Sequence, residues 1–204
     1  MGRPSTPLLS QEAIALAALR LVDQTGEFTI GQVAKALGVR PSSLYNHVQG
    51  KHEIVEAMRA FVFREGGGDS TDHTGTWDEI VRALLHSYRA SFARHPRLIP
   101  HVNAYTVTSP EVMGMYDELA QTLADAGVSE HQLLDVITMC DSIVLGSALD
   151  LAAPDQIWDV RQAHSQALIA AIEQAGSGRE RSDRAFELAL DLLVAGIAAL
   201  VDGH

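Results

Sequence analysis

The sequence predicts an all-α protein of two units, and three features carry that prediction. Apolar residues recur at helical spacing along most of the chain, and no stretch alternates apolar and polar residues between turns as a half-buried strand would. Ala and Leu recur throughout while aromatic residues make up only 5%, a balance that favours helices over sheets. Capping signals stand before several of the apolar runs. At 204 residues, 47% hydrophobic and 20% charged, the chain can bury a sizeable core and is too apolar for a disordered tail.

The first helix follows Ser10, a common N-cap type, carries Ile14, Leu16, Ala17, Leu19, Leu21 and Val22, and stops at Thr25 and Gly26. Thr29 with Gln32 makes a capping box for a second helix, Ile30 to Leu37, closed by Gly38. Pro41 stands where a first helical residue would, followed by Ser42, Ser43, Leu44, Tyr45, Asn46 and His47. A fourth helix runs from about Lys51 to Phe63 on a stripe of Ile54, Val55, Met58, Phe61 and Val62. The clearest break is Glu65 to Thr76, led by Gly66, Gly67 and Gly68, which divides the chain into 1–64 and 65–204.

Beyond the break, Thr76 and Glu79 form another capping box, with Ile80, Leu84, Tyr88 and Phe92 in register behind it. Pro96 and Pro100 end or kink that run. Ser109, Pro110 and Glu111 start the next helix, which closes at Gly127, and Ser129 to Gln132 starts one that reaches about Leu151. Pro154 is expected to open a further helix, broken by Gly176, Ser177 and Gly178. The last spans Ser182 to Val201 and carries Phe186, Leu190, Leu193, Val194, Ile197 and Leu200. There is no internal repeat at solenoid spacing.

A formal charge of −11 argues at first against a nucleic-acid partner. Counted by segment, residues 1–64 carry +2 and the remainder −13, so the chain is polarised. One cysteine, Cys140, excludes an intramolecular disulfide and a cysteine-rich zinc site, and it reads as buried and inert. No uninterrupted apolar run approaches the length of a membrane span, and Met1 to Ser10 lacks a signal-peptide core. The expectation is a cytoplasmic protein with no membrane partner. No Ser-His-Asp order, P-loop or dinucleotide fingerprint appears, so the chain does not read as an enzyme.

The most informative stretch is Thr29 to Lys51. A capped helix, a tight turn at Gly38 and Val39, and a short second helix have the proportions of a helix-turn-helix. Val33, Ala34, Leu37 and Val39 fill the angle between the helices, with Leu44 and Val48 facing the core. That leaves Pro41, Ser42, Ser43, Tyr45, Asn46 and His47 outward, and their hydroxyl, amide and imidazole groups can bond base edges and phosphates. On spacing alone, an ordinary exposed helix fits as well.

Thr29 to Val39, then Leu44 to Val48 and Lys51, resembles the N-terminal signature of TetR-family transcriptional regulators. The resemblance implies an N-terminal DNA-binding domain joined to a larger helical ligand-binding and dimerisation domain, acting as a ligand-released repressor. It assigns Tyr45 and Lys51 to DNA phosphates and puts Ser42, Ser43, Asn46 and His47 on the reading helix, with Thr29, Arg40 and Pro41 at its approach. Arg40 stands where a Ser or Thr cap is usual, and Gly31 where the tetracycline repressors have a base-reading Arg. Trp77 to Glu79, Tyr88 to Ala90, His101, Leu145, Gly146 and Asp150 are similar in spacing to those repressors.

In that subgroup the ligand is a magnesium–drug chelate, so the resemblance implies a divalent-cation site at His101 with Asp150 of the second subunit. Leu84 and the Gly66–Gly68 stretch replace drug-binding side chains and Ala104 a water-anchoring Thr, which argues against tetracycline itself, and no cofactor is required by the remaining sequence. A bonded helix-end histidine and a solvated helix terminus are the simpler readings of His101 and Asp150. The candidate ligand-contacting residues are Tyr88, Phe92, His101, Tyr105, Met113 and Met139, with Trp77 and Trp158 nearby in kind. Residues of this type at helical spacing also serve as ordinary core. The apolar helices at about 131–151 and 182–201 are expected to pair with their symmetry mates in a homodimer, with double-stranded operator DNA and a small-molecule inducer as the other partners. A DNA-binding activator and a small-molecule-binding helical protein that ignores DNA remain the other readings of the same residues.

Overall fold

A computed structural model describes residues 9–68 and 73–202. Residues 1–8, which carry most of the signal-peptide reading, and residues 69–72 of the glycine-led break lie outside the described residues. The described residues contain helices and no strand.

Helix α1, Gln11–Thr25, starts where the Ser10 hydroxyl accepts the Ala13 N–H at 3.1 Å. It ends where Gly26 adopts a left-handed φ of 82° and returns its N–H to the Val22 carbonyl. Helix α2, Ile30–Ala36, carries the expected capping box: Gln32 Oε1 accepts the Thr29 N–H at 2.8 Å while Thr29 Oγ1 accepts the Gln32 N–H at 3.2 Å. Helix α3, Pro41–Leu44, is a single turn and stops short of the expected His47. Its Leu44 carbonyl accepts both the His47 and Val48 N–H groups, at 2.8 and 2.9 Å. The chain therefore rolls through a turn that lets Val48 as well as Leu44 reach the core. Helix α4, Lys51–Glu65, packs against α1 and completes this head.

The body comprises α5 (Trp77–Ala93), α6 (Ile99–Val102), α7 (Pro110–Asp125), α8 (Glu130–Asp150), α9 (Gln166–Glu173) and α10 (Gly178–Asp202). Its core gathers Leu85, Phe92, Leu98, Leu119, Cys140 and Phe186, each essentially without solvent exposure, and large apolar side chains buried so completely contribute about 1.5–3 kcal/mol apiece. Helix α4 also packs on α5, α6 and α7, so it belongs to both units. Arg89 fastens α5 to α8 and α10: its guanidinium donates to Ser147 Oγ (2.8 Å), Asp183 Oδ1 (2.8 Å) and Ser182 Oγ (3.2 Å) and lies over the Phe186 ring.

Two further boundaries differ from expectation. Pro154 opens no α-helix; the stretch holds one 3-10 turn, Val160–Gln162, and the next helix waits for Ser165. Ile157 and Trp158 remain exposed there, so no buried face rewards a helix. Gly178, expected in a break, is instead the first residue of α10. Ser177 and Glu180 form a reciprocal capping box before it, and Gly178 packs against Asp155 where a Cβ would sit 2.8 Å from the Asp155 Cα.

Helix α8 passes a test of length and composition that it fails as an uninterrupted apolar run. By length and composition it could cross a membrane, with a mean hydropathy of 1.4 over its most apolar stretch, because averaging tolerates Asp135 and Asp141 where an uninterrupted run does not. One side of it (Val136, Cys140, Val144, Ala148) joins the core, while Leu134 is 73% exposed on the other. Helix α10 repeats the pattern, with Leu188 and Leu192 exposed, the latter at 66%, opposite a buried stripe from Ser182 to Ile197. Gly146 and Gly196 lie on these outward faces with open space above them.

Candidate functional site

The head presents a polar convex edge. Pro41, Ser42, Tyr45, Asn46 and His47 are exposed and Ser43 is half-buried, all carried on the anchors Leu44 and Val48. Arg40 occupies the N-cap of α3 without a side-chain cap bond, because a guanidinium has no acceptor to offer the helix N–H groups. Gln11 Nε2 donates to the His47 carbonyl at 3.1 Å and pins the far end of the turn to α1. Lys51 begins α4 beside this edge, and its ammonium lies 3.8 Å from Glu27 and 4.9 Å from the Phe28 ring centroid. Thr29 is exposed at the start of α2, its hydroxyl engaged in the capping box.

Behind that edge, the body grips the end of α1. Arg97 donates to the Asp23 and Gln24 carbonyls at 2.9 and 2.8 Å, which α1 leaves without intrahelical partners. His95 Nδ1 meets the Asp23 carboxylate at 2.9 Å. His101 is buried, and its Nε2 donates to the Gly26 carbonyl at 2.8 Å while its ring sits edge-on to Phe28, 5.8 Å between centroids.

A second junction lies on α4. Glu56 Oε2 accepts the Thr108 N–H (2.7 Å), the Thr108 hydroxyl (3.2 Å) and the Ser109 N–H (3.2 Å). Arg59 donates to the Val102 and Tyr105 carbonyls at 2.6 and 3.1 Å, and its Nε stands 3.0 Å from Glu56 Oε1, off the line a hydrogen bond needs. Both side chains are buried, and together they hold the α6–α7 loop onto α4. A cleft of about 490 Å³ opens beside this junction, lined by Glu12, Glu53, Phe61, Arg64 and Glu111 among others.

Deeper in the body, Tyr88 on α5, Tyr116 on α7 and Asp141 on α8 form a polar chain. The tyrosine hydroxyls are 3.4 Å apart, and Tyr116 donates to both Asp141 oxygens at 2.9 and 3.0 Å. Burial raises the Asp141 carboxyl above its ordinary range against the opposing Tyr116 bond, and burial also raises both phenols. Burial pushes the Cys140 thiol up to about 12, as an inert core thiol requires.

The structure does not gather the candidate ligand residues into one cavity. Tyr88 and Phe92 pack edge to face in the core, centroids 5.5 Å apart. His101 turns to the head, Tyr105 lends Arg59 its carbonyl, and Met113 and Met139 project to solvent. Neither the α4 cleft nor a second cleft of about 510 Å³ between α9 and α10, near Trp158, is lined by any of the six.

The two expected cation donors each have a hydrogen-bond partner within this subunit. His101 Nε2 serves Gly26, and Asp150 Oδ1 accepts from Arg181 at 2.8 Å, a bond that holds the Asp150 carboxyl below its ordinary range. Among the described residues no three His, Cys, Asp or Glu side chains stand together as a metal site. The sequence reading missed Glu56 and Arg59, whose signal was two opposite charges spaced i,i+3 within the apolar stripe of α4. It also missed Tyr116 and Asp141, which carried no local signal.

The tetracyclin repressor-like C-terminal domain model matches residues 70–201. The HTH-type transcriptional repressor DrrR1 of Streptomyces coeruleorubidus is 27% identical over 149 residues, a match spanning 72% of this chain and 55% of that longer protein. The class E tetracycline repressor protein of Escherichia coli is 22% identical over 95% of this chain and 93% of its own length. The apo structure of ActR from Streptomyces coelicolor has the same fold, with a TM-score of 0.77 at 21% identity over 98% of this chain and 99% of ActR. With its helix-turn-helix head and matching helical body, the chain belongs to the TetR family of transcriptional regulators.

Proposed function

We propose that the protein is a cytoplasmic, homodimeric repressor that leaves a palindromic operator when its body binds a small molecule. The observation that carries this reading is the exposed Pro41–His47 edge, held rigidly by Leu44 and Val48 and flanked by Lys51, on a head that carries +2 against −13 for the rest of the chain. Ser42, Ser43, Asn46 and His47 meet base edges in the major groove, while Tyr45 and Lys51 bond phosphates on either side. The outward apolar faces of α8 and α10 supply the two-fold interface, where Gly146 and Gly196 allow close approach. The dimer then sets its two reading heads about 34–36 Å apart, one turn of DNA.

The small molecule binds the body, where clefts of about 490 and 510 Å³ open beside α4 and between α9 and α10. Its binding selects a head spacing that no longer fits the operator, and a coupling of about 1–3 kcal/mol lowers DNA affinity roughly 5- to 150-fold. No cation is needed at His101.

Selection of duplexes from a random pool, repeated with candidate small molecules, tests the reading. The expected product is a palindrome whose binding is lost on adding an inducer. Tyr45→Ala and Lys51→Ala each weaken binding to that duplex while leaving the melting temperature unchanged, and Lys51→Ala lowers the salt slope by about one. Unchanged affinity in both variants would remove the assigned docking edge.

A further inference from the structure

We propose that His101 is a positioning residue for the DNA-contacting head: it holds the Gly26–Phe28 turn on the body and, through the Phe28 ring, fixes the Lys51 ammonium. The inference rests on the phosphate-binding role given above to Lys51. It assigns His101 Nε2 to a structural bond that a cation held at that same nitrogen would have to displace.

The contacts run without interruption. The Gly26 carbonyl accepts the His101 Nε2 proton at 2.8 Å, because a carbonyl can only accept and the ring nitrogen must donate. Gly26 reaches this bond through its left-handed φ of 82°, a conformation that places its carbonyl beyond the helix end. Two residues on, Phe28 is 2% exposed and wedged with one edge on the His101 ring. Its face carries the Lys51 ammonium at 4.9 Å, and Glu27 holds the same ammonium at 3.8 Å. Residues 26–28 therefore touch His101 on one side and Lys51 on the other.

His101 does not act alone on α1, since Arg97 and His95 hold the preceding turn. Its bond differs from theirs in position. Arg97 and His95 grip Asp23 and Gln24 inside the last turn of α1, whereas His101 grips the residue after it, where the chain turns toward the DNA edge. A side chain on the body thus sets where a phosphate contact sits, at a distance of two van der Waals contacts. Coordination of a cation by Nε2 would require the Gly26 carbonyl to lose a buried partner.

The test uses the full-length protein and the duplex that the wild type enriches from a random pool. Three quantities are followed: affinity for that duplex at fixed salt, amide exchange over residues 24–30, and the His101 ring signals by NMR. His101→Leu keeps the bulk without the donor and is expected to lose about tenfold in affinity and to exchange faster at 26–30. His101→Gln, which retains an N–H of similar reach, stays much closer to wild type. Should His101→Leu not fold, His101→Asn, whose amide is too short to reach Gly26, takes its place.

In a double-mutant cycle, Lys51→Gln costs less in the His101→Leu background than in the wild type. Millimolar magnesium ion at constant ionic strength leaves the hydrogen-bonded His101 Nε2–H signal in place. Wild-type affinity in the donorless variant, strict additivity with Lys51→Gln, or loss of the His101 Nε2–H signal on adding magnesium would each overturn the proposal. If the wild type enriches no duplex, the DNA-binding reading fails instead. Amide exchange then decides the strut by itself, and unaltered exchange in the donorless variant rejects it.

Discussion

Replacing Arg59 by Met tests how the head and body are held together at α4. Arg59 is 5% exposed and makes three contacts that Met cannot: donation to the Val102 carbonyl at 2.6 Å, donation to the Tyr105 carbonyl at 3.1 Å, and the 3.0 Å approach to Glu56. The exchange conserves volume and apolar stem, so cavity formation is a small part of its effect. The dominant cost is a buried Glu56 carboxylate left without its cation, about 3–5 kcal/mol for breaking a buried pair. For a chain of this size each kcal/mol moves the melting temperature by roughly 2–4 °C, so the fall should be about 6–20 °C. Thermal unfolding by circular dichroism, at one protein concentration because dimerisation shifts the midpoint, gives the number directly.

Adding Glu56→Gln to Arg59→Met should recover much of the loss, since the orphaned charge disappears while Thr108 and Ser109 keep an acceptor. A drop under about 2 °C in the single variant would mean that the pair behaves as a surface salt bridge and does not clamp the α6–α7 loop.

Two further outcomes follow from the body. Because burial raises the Asp141 carboxyl, its contribution to stability is fully present below the unfolded pKa of about 3.9 and is lost as pH rises through the folded value. Asp141→Asn should therefore melt higher than wild type at neutral pH, with the gap closing toward about pH 4, and a variant that melts lower throughout would show that the carboxylate is net stabilising where it sits. On the outward faces, Leu134→Glu with Leu192→Glu places charges at the 73% and 66% exposed positions and should yield a folded monomer by sedimentation. A dimer that survives both changes would place the two-fold interface elsewhere.

What could be read from the chain alone was what neighbours in sequence decide. Ser10, the Thr29–Gln32 pair, the Thr76–Glu79 pair and Ser109 before Pro110 all stand at helix starts, because a cap is a local bond between residues two or three apart. The Ser177–Glu180 box was equally local, but two glycines beside it read as a break and hid it. Pro154 misled for the opposite reason: the local signal for a helix was present, and no surface existed for Ile157 and Trp158 to cover. The exposure of the Pro41–His47 edge was legible because Leu44 and Val48 fix which way its neighbours point. His101 was not, since Gly26 lies 75 residues away and only the packed head brings the two together. The Tyr88–Tyr116–Asp141 chain unites three helices and leaves no trace in any one of them.

The glycine run that separates the two units in the sequence is no tether in the fold. An added Cβ on Gly66 would lie 2.5 Å from the Ser91 Cα, and one on Gly68 would lie 2.5 Å from the Phe63 ring. The last turn of α4 is thereby seated flush on α5, and the backbone at this point has no slack. A soft joint would let each head wander and would smear the separation between the two DNA-reading edges into a distribution. A flush joint makes that separation a single length, as on a caliper whose jaws are fixed to its beam. In the proposed dimer, small rotations of α4 would become definite errors in pitch against the DNA, which would let a protein with little positive charge tell one spacing from another.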